Sequence, residues 1–227
     1  MNSHIKIKLA LTSTLLSFNV LSSSELHLDQ ANTDISDAPS LQNGAKLFMN
    51  YCSGCHAISF MRYNRIAKDL NLSDSLVTEH LMFAGEKPGD AITTAMPKES
   101  AAKWFGTTPP DLSLVARSKG TDWIYSYLRG FYEDDSKVFG VNNKVLENAS
   151  MPDVLWSLKE EKSEAGFDQD VRDITNFLDY VGEPAKLIRS SLGVWVLLFL
   201  GVLPVLTYLL KKEYWKDVKY GIWRPRD

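Results

Sequence analysis

Two cysteines and a histidine stand close together in the first quarter of the chain, in the order Cys52-Ser53-Gly54-Cys55-His56. This order fits the C-x-x-C-H signature of covalent haem attachment. Two thiols about one helical turn apart can form thioethers to both vinyl groups of one porphyrin, while the next residue turns its imidazole toward the iron. We therefore predict that Cys52 and Cys55 bind one haem c covalently and that His56 is an iron ligand.

The residues before the motif predict a helix. Ala45, Phe48, Met49 and Cys52 recur at helical spacing, and Gly44 leaves a surface that another helix can approach closely. This segment resembles the N-terminal helix of a class I cytochrome c. The alternative use of two cysteines at this spacing is a dithiol redox site, but the alternation of strands and helices expected around such a site is absent from the sequence.

A second axial ligand is expected on the iron, and methionine is the soft ligand that raises the reduction potential. Met96 and Met151 both precede a proline, which can hold a sulfur in a rigid loop. Met151 lies 95 residues after His56, which leaves enough chain to wrap the porphyrin and return over its other face. Spacing favours Met151 as the metal ligand and leaves Met96 as the alternative. Three others are set aside because they lie too near the attachment site or in a helical pattern: Met49, Met61 and Met82.

The last helix of the soluble part is predicted near Asp170 to Val181 and ends at Gly182. Its apolar residues fall on one face: Val171, Ile174, Phe177, Leu178 and Val181. We expect this helix to cross the helix that precedes the haem motif.

Hydrophobic segments stand at both ends of the chain. Residues 1–24 have a positively charged start followed by an apolar stretch, which predicts a secretory signal peptide. Residues 192–210 carry no charge and as a helix would cover about 28 Å, close to the hydrocarbon thickness of a bilayer. Lys211 and Lys212 follow at once, so the positive-inside rule predicts a cytoplasmic C terminus and an exported globular part.

Charge is divided unevenly between the parts of the chain. Residues 25–189 contain 25 acidic and 17 basic residues, a net charge of −8, whereas residues 211–227 contain three acidic and six basic residues. The globular part therefore has no nucleic-acid footprint. Its acidic clusters, Glu133 to Asp135 and Glu160, Glu161 and Glu164, are candidates for steering a basic protein partner.

These observations predict a mainly α protein, a class I cytochrome c-like haem domain with one C-terminal transmembrane helix. The expected order is a signal peptide over 1–24, a haem domain over 25–189, a transmembrane helix over 190–210 and a cytoplasmic basic tail over 211–227.

Several longer segments resemble the cytochrome c1 family, the haem subunits of ubiquinol-cytochrome c oxidoreductase. The matching pieces lie in the family's order and, together with the single membrane helix and basic tail that follow them, cover residues 43–225: NGAKLFMNYCSGCH, MRYNRIAKDL, WFGTTPPDLSLVARSKGTDWIYSYLRGFY, ENASMPDVLW and DITNFLDYVGEPA.

The resemblance implies roles for particular residues. The methionine of the ENASMPDVLW segment is the family's sixth iron ligand, which supports Met151. Pro110 matches a proline that packs beside the haem, and Arg117 and Lys119 are both candidates to pair with a haem propionate. Members of the family commonly have arginine where Lys119 stands, and only arginine grips a carboxylate in two places. Trp123 falls where an aromatic side chain commonly lies near the haem.

The resemblance also implies a function. The chain would pass electrons from a Rieske iron-sulfur protein to a cytochrome c and pack its membrane helix against cytochrome b, without catalysing a reaction on its own. Three other classes stay open at this stage: a haem-based sensor, an anchored thiol oxidoreductase, and a different membrane-tethered cytochrome that feeds an oxidase.

Overall fold

The computed structural model describes residues 27–221, apart from the side chain of Ser190. The predicted signal peptide and the last residues of the tail lie outside this part of the chain. The described part contains nine α-helices: α1 (Ala38–Leu47), α2 (Tyr63–Asp69), α3 (Asp74–His80), α4 (Lys98–Phe105), α5 (Val115–Ser118), α6 (Thr121–Arg129), α7 (Trp156–Glu161), α8 (Glu164–Gly182) and α9 (Lys186–Tyr220). Four short strands complete it: β1 (Ile58–Arg62), β2 (Ala91–Ile92), β3 (Phe131–Glu133) and β4 (Val141–Asn143).

Helices α1 and α8 cross at the centre of the globular part, as the sequence predicts. At the crossing, a Cβ atom built on Gly44 would lie only 2.0 Å from the carbonyl oxygen of Asp173. Glycine is therefore the residue that lets the two backbones approach this closely. The apolar stripe predicted on α8 faces the core, where Ile174 and Phe177 are completely buried.

Helix α8 begins six residues before the predicted start. Ser163 is its N-cap, and the serine hydroxyl accepts a hydrogen bond from the backbone N–H of Gly166 at 3.3 Å. Such a cap satisfies one of the otherwise unpaired N–H groups of the first turn. The predicted end of the helix at Gly182 is confirmed.

A π-helical turn follows α1 and covers Phe48 to Cys52. The backbone N–H of Ser53 donates to the carbonyl of Phe48, five residues back, at 3.0 Å. A π turn holds one more residue than an α turn and is frequent at functional sites. It delivers the chain directly into the C-x-x-C-H motif while burying Phe48, Met49 and Cys52 as their spacing predicts.

Two small antiparallel sheets, β1 with β2 and β3 with β4, were not predicted. The strands of the first sheet have α2 and α3 between them in the chain, and those of the second form a hairpin. Strand β1 starts two residues after His56, and its Ile58 pairs with Ile92 of β2. Both isoleucines are completely buried. This first sheet therefore joins the strand that follows the C-x-x-C-H motif to a segment more than 30 residues later in the chain.

Helix α9 carries the candidate membrane span of the described residues. It runs for 35 residues, about 52 Å, and includes a segment long and apolar enough to cross a membrane. It extends beyond the predicted span of 190–210 at both ends. At its start, Lys186 pairs with Asp179 of α8 at 2.9 Å and Arg189 pairs with Glu183 at 2.5 Å. These ion pairs join the first turn of α9, ahead of its apolar run, to the end of α8.

Candidate functional site

The backbone of the C-x-x-C-H motif forms a tight turn. The N–H groups of Cys55 and His56 both donate to the carbonyl of Cys52, at 3.0 and 2.8 Å. Cys52 is buried and Cys55 is half-buried. The turn thus holds both thiols and the imidazole within one compact loop.

The imidazole of His56 has a defined orientation. Its Nδ1 lies 2.7 Å from the carbonyl oxygen of Pro110. A carbonyl can only accept, so Nδ1 carries the proton and donates it. Burial lowers the pKa of His56, although the bond to Pro110 and the charge of Asp111 oppose this effect. The ring is therefore neutral near pH 7, and its Nε2 presents a free lone pair.

A neutral imidazole held through Nδ1 is the form that ligates a metal through Nε2. The hydrogen bond from Nδ1 to Pro110 fixes both the tautomer and the orientation of the ring. A haem iron requires both of its proximal histidine. The residues present therefore fit a covalently bound haem.

The loop that carries Pro110 is itself fixed to β1. The carboxylate of Asp111 accepts hydrogen bonds from the backbone N–H groups of Ser59, at 3.0 Å, and Ser113, at 2.7 Å. The hydroxyl of the buried Ser113 accepts from the N–H of Phe60 at 3.1 Å. These contacts fix the position of the Pro110 carbonyl, the hydrogen-bond acceptor for His56. Sequence reasoning missed Asp111 and Ser113, although an aspartate two residues before a serine signals a turn of this kind.

The electrostatics of the two thiols differ from those of a dithiol redox site. Burial, with a smaller contribution from Cys55, raises the pKa of Cys52 to about 12, and burial also raises the pKa of Cys55. Reactive dithiols instead have lowered pKa values, which make the nucleophilic thiolate available. The site is poorly suited to thiol exchange.

The two candidate sulfur ligands lie in different places. Met151 is half-buried in the irregular segment between β4 and α7 and packs against the hydrophobic core. Met96 lines a cavity of about 420 Å³ together with Cys55, Pro109 and Pro110. The helical pattern predicted for Met82 is wrong, because α3 ends at His80 and Met82 follows in a loop.

The candidate propionate partners lie on and just after α5. Arg117 is exposed, and its aliphatic stem lies against Gly182, where a Cβ atom would be 3.3 Å from the arginine Cγ. The ammonium of Lys119 lies 5.4 Å from the ring centroid of Trp123, in a cation–π contact. Trp123 in turn stacks on Tyr127, with ring centroids 4.9 Å apart. The half-buried tryptophan thus contacts both Lys119 and Tyr127.

Comparison with known proteins identifies the family. The family model described as the cytochrome C1 family matches residues 29–218. The chain is 49% identical to the cytochrome c1 of Allochromatium vinosum, over 85% of this chain and 90% of that protein. It is 42% identical to a Nitrosomonas europaea protein named ammonia monooxygenase gamma subunit, over 93% of this chain and 98% of that protein. It is 32% identical to the cytochrome c1 of Rhodospirillum rubrum, over 81% of this chain and 84% of that protein.

The chain belongs to the cytochrome c1 family. As a member it is a cytochrome subunit of the bc1 complex, takes part in respiratory electron transfer and holds its haem covalently. The predicted fold class is confirmed as well, since a mainly α globular part is followed by a C-terminal anchor.

Proposed function

We propose that this chain relays single electrons from a Rieske iron-sulfur protein to a cytochrome c, as a subunit of quinol-cytochrome c oxidoreductase. One haem c is attached to Cys52 and Cys55, and His56 is the proximal ligand. The observation that carries the proposal is the 2.7 Å contact between His56 Nδ1 and the carbonyl of Pro110, because it leaves Nε2 free to bind iron. When bound, the haem supplies a centre that changes oxidation state by one electron without proton or covalent chemistry.

Met151 is the proposed sixth ligand. Methionine at this position sets a high reduction potential and keeps small molecules off the iron. Its competitor, Met96, donates its backbone N–H to Thr94, whose hydroxyl in turn donates to the carbonyl of Gly54. Met96 is thereby tied to the loop that also carries His56, and a sulfur held there would be less able to reach an iron from the face opposite the histidine. This contact supports Met151.

Carbon monoxide binding tests the ligand assignment. Replacement of Met151 by alanine opens the sixth position, so the reduced variant should bind carbon monoxide, which the native protein should not. The matched control is Met96→Leu, which removes the other candidate sulfur and conserves volume. The assignment is wrong if the Met96 variant gains carbon monoxide binding and the Met151 variant does not. Binding by the native protein would instead favour a sensor.

Arg117 is the proposed partner of a haem propionate. Its guanidinium is exposed while its stem is held against Gly182, and Lys119 already has the face of Trp123 as a partner. A propionate that loses a bidentate guanidinium becomes less stabilised as an anion. Arg117→Gln should therefore make the reduction potential more dependent on pH than Lys119→Gln does, and equal profiles in the two variants would contradict the assignment.

The proposed arrangement in the membrane has the haem domain on the periplasmic side and the basic tail in the cytoplasm. Lys211 and Lys212 directly follow the apolar part of α9 and support this orientation. Helix α9 is apolar and exposed around its circumference within the described chain, which suits packing against cytochrome b. Labelling of single cysteines placed at Ser136 and Lys219 by an impermeant reagent tests the orientation, since only the first should react in intact cells.

Acidic clusters on the haem domain are proposed to steer a basic cytochrome c. Glu133 and Asp135 are exposed, whereas Asp134 accepts hydrogen bonds from Ser136 and Asn142 and so has a structural use in the hairpin turn. Exposed charges attract a partner over a distance that shortens as salt is added. The rate of electron transfer to the soluble partner should therefore fall with ionic strength, and a constant rate would remove steering from the proposal.

The relay itself is tested in the isolated complex. A purified preparation that contains cytochrome b and the iron-sulfur subunit should reduce this cytochrome upon addition of quinol, and the reduced cytochrome should be reoxidised by added cytochrome c. A His-tagged chain that copurifies with an oxidase and without cytochrome b would instead support the separate class of tethered cytochromes.

A further inference from the structure

One hydroxyl outside the C-x-x-C-H motif bonds to the motif itself. The Oγ1 of Thr94 donates to the carbonyl of Gly54 at 2.8 Å and accepts from the backbone N–H of Met96 at 3.2 Å. One half-buried side chain thus joins the loop between the two cysteines to the segment that carries Met96. Thr94 matches none of the signatures of haem attachment.

The pairing of β1 with β2 explains why Thr94 and Gly54 lie next to each other. Strand β1 leaves the motif just after His56, and its Ile58 pairs with Ile92 of β2 in the buried core. Thr94 follows Ile92 by two residues, so the pairing of β1 with β2 brings Thr94 next to Gly54 of the motif. Pro97, three residues after Thr94, is the N-cap of α4. The irregular segment therefore ends there. The segment 94–97 is therefore held at both ends.

The held segment forms one wall of the cavity beside Cys55. Thr94, Met96 and Pro110 line this cavity of about 420 Å³ together with the half-buried Cys55. The wall borders the same cavity as the thiol that would form the second thioether. These residues would therefore limit the access of water to a haem joined to Cys55.

We propose that Thr94 is a positioning residue that latches segment 94–97 onto the attachment loop, so that Met96 shields the porphyrin edge bonded to Cys55 from water. This inference rests on the proposed function, because it requires a haem joined to Cys55. Oxidised haem carries one more positive charge than reduced haem, and water stabilises the more highly charged form. Exclusion of water therefore raises the reduction potential, and the latch acts in that direction.

Redox titration of the full chain in detergent, followed at the α absorption band, tests the latch. Thr94→Val removes the hydroxyl and conserves the shape of the side chain, so its midpoint potential should shift below that of the native protein. Thr94→Ser keeps the hydroxyl and should restore the native value. Thr93→Val, an exposed neighbour, is the matched control and should leave the potential unchanged.

Two results would overturn the proposal. One is a native potential in Thr94→Val, and the other is a potential in Thr94→Ser as low as in the valine variant. Failure of the haem proposal itself gives a different result, because native protein and variants would then all lack the c-type absorption bands.

A second variant keeps the shield testable if Thr94→Val does not accumulate. Met96→Ala removes the wall while leaving the latch residues in place. It should lower the midpoint potential and retain the far-red band of methionine-ligated oxidised haem. An unchanged potential would overturn the shield, and loss of the far-red band would assign Met96 as the axial ligand instead.

Discussion

The crossing of α1 and α8 predicts that Gly44 tolerates no side chain. A Cβ atom there would lie 2.0 Å from the carbonyl oxygen of Asp173 and 2.8 Å from the Cβ of Phe177. Ordinary contacts begin at 3.4 Å, so in Gly44→Ala the helices must separate by more than 1 Å at this point.

Two hydrogen bonds across the crossing, one buried and one partly buried, would be lost in that separation. The carboxylate of Asp173 accepts from the hydroxyl of Ser40 and from the side-chain amide of Asn43, both at 2.7 Å. Overpacking a core costs about 1–3 kcal/mol, and each buried polar pair that opens costs about 1–3 kcal/mol more. We expect Gly44→Ala to lower the free energy of unfolding by at least about 3 kcal/mol, the sum of the lower limits of these costs, which is a large share of the stability of a typical domain.

Denaturant titration of the detergent-solubilised chain, followed by circular dichroism, measures this effect. The matched control is Gly89→Ala, because a Cβ atom at Gly89 meets nothing within 4 Å; it should change the free energy of unfolding by less than about 0.5 kcal/mol. Equal stability of the two variants would refute the reasoning, since it would mean that the helices do not cross at Gly44.

Other predictions concern caps and charges. Ser163→Ala removes the N-cap of α8 and should cost about 1 kcal/mol in the free energy of unfolding, measured by the same titration; Ser163→Asp, which can still cap, should not. Hydrogen bonds from Ser59 and Ser113, although opposed by burial, hold the pKa of Asp111 below its ordinary value of 3.8. Its stabilisation is therefore complete above that value and is lost as pH falls through the lowered pKa. Asp111→Asn should accordingly flatten the dependence of stability on pH below about 4, and a native profile in this variant would contradict the assignment. Arg129 pairs with Asp29 at 2.7 Å and with Asp168 at 2.6 Å, so Arg129→Met should release the segment before α1 to limited proteolysis, and unchanged cleavage would count against that role.

The central crossing was predictable because its signals are local and periodic. Apolar residues of α8 recur at 3.6-residue spacing, and a glycine stands on the facing side of α1. The start of α8 was missed because its first turn is polar, so that only the cap at Ser163 marks it.

The short strands and the π turn could not be predicted from the sequence. Strands of two to five residues are too short to show a clear alternation of apolar and polar residues. The π turn is marked by backbone hydrogen bonds such as that from Ser53 to Phe48, and the same apolar spacing suits an ordinary α-helix. Thr94 bonds to Gly54 and Asp111 bonds to Ser59, and neither of these long-range contacts has a local signal in the sequence.

The proposed haem attachment rests on residues that are contiguous in the sequence. Cys52, Cys55 and His56 form a contiguous motif whose chemistry is fixed by residue type and spacing. The acceptor for His56, the carbonyl of Pro110, is a backbone atom 54 residues away, and a backbone carbonyl has no signature in sequence. Pro110 itself entered only through the resemblance to the family.

The most direct test of the central claim is mass spectrometry of the tryptic peptide 47–62, which contains the whole C-x-x-C-H motif between Lys46 and Arg62. The native protein should yield this peptide with the added mass of one haem and with neither thiol open to alkylation. A peptide of unmodified mass, with both Cys52 and Cys55 alkylated after denaturation, would contradict covalent haem attachment and with it the proposed relay.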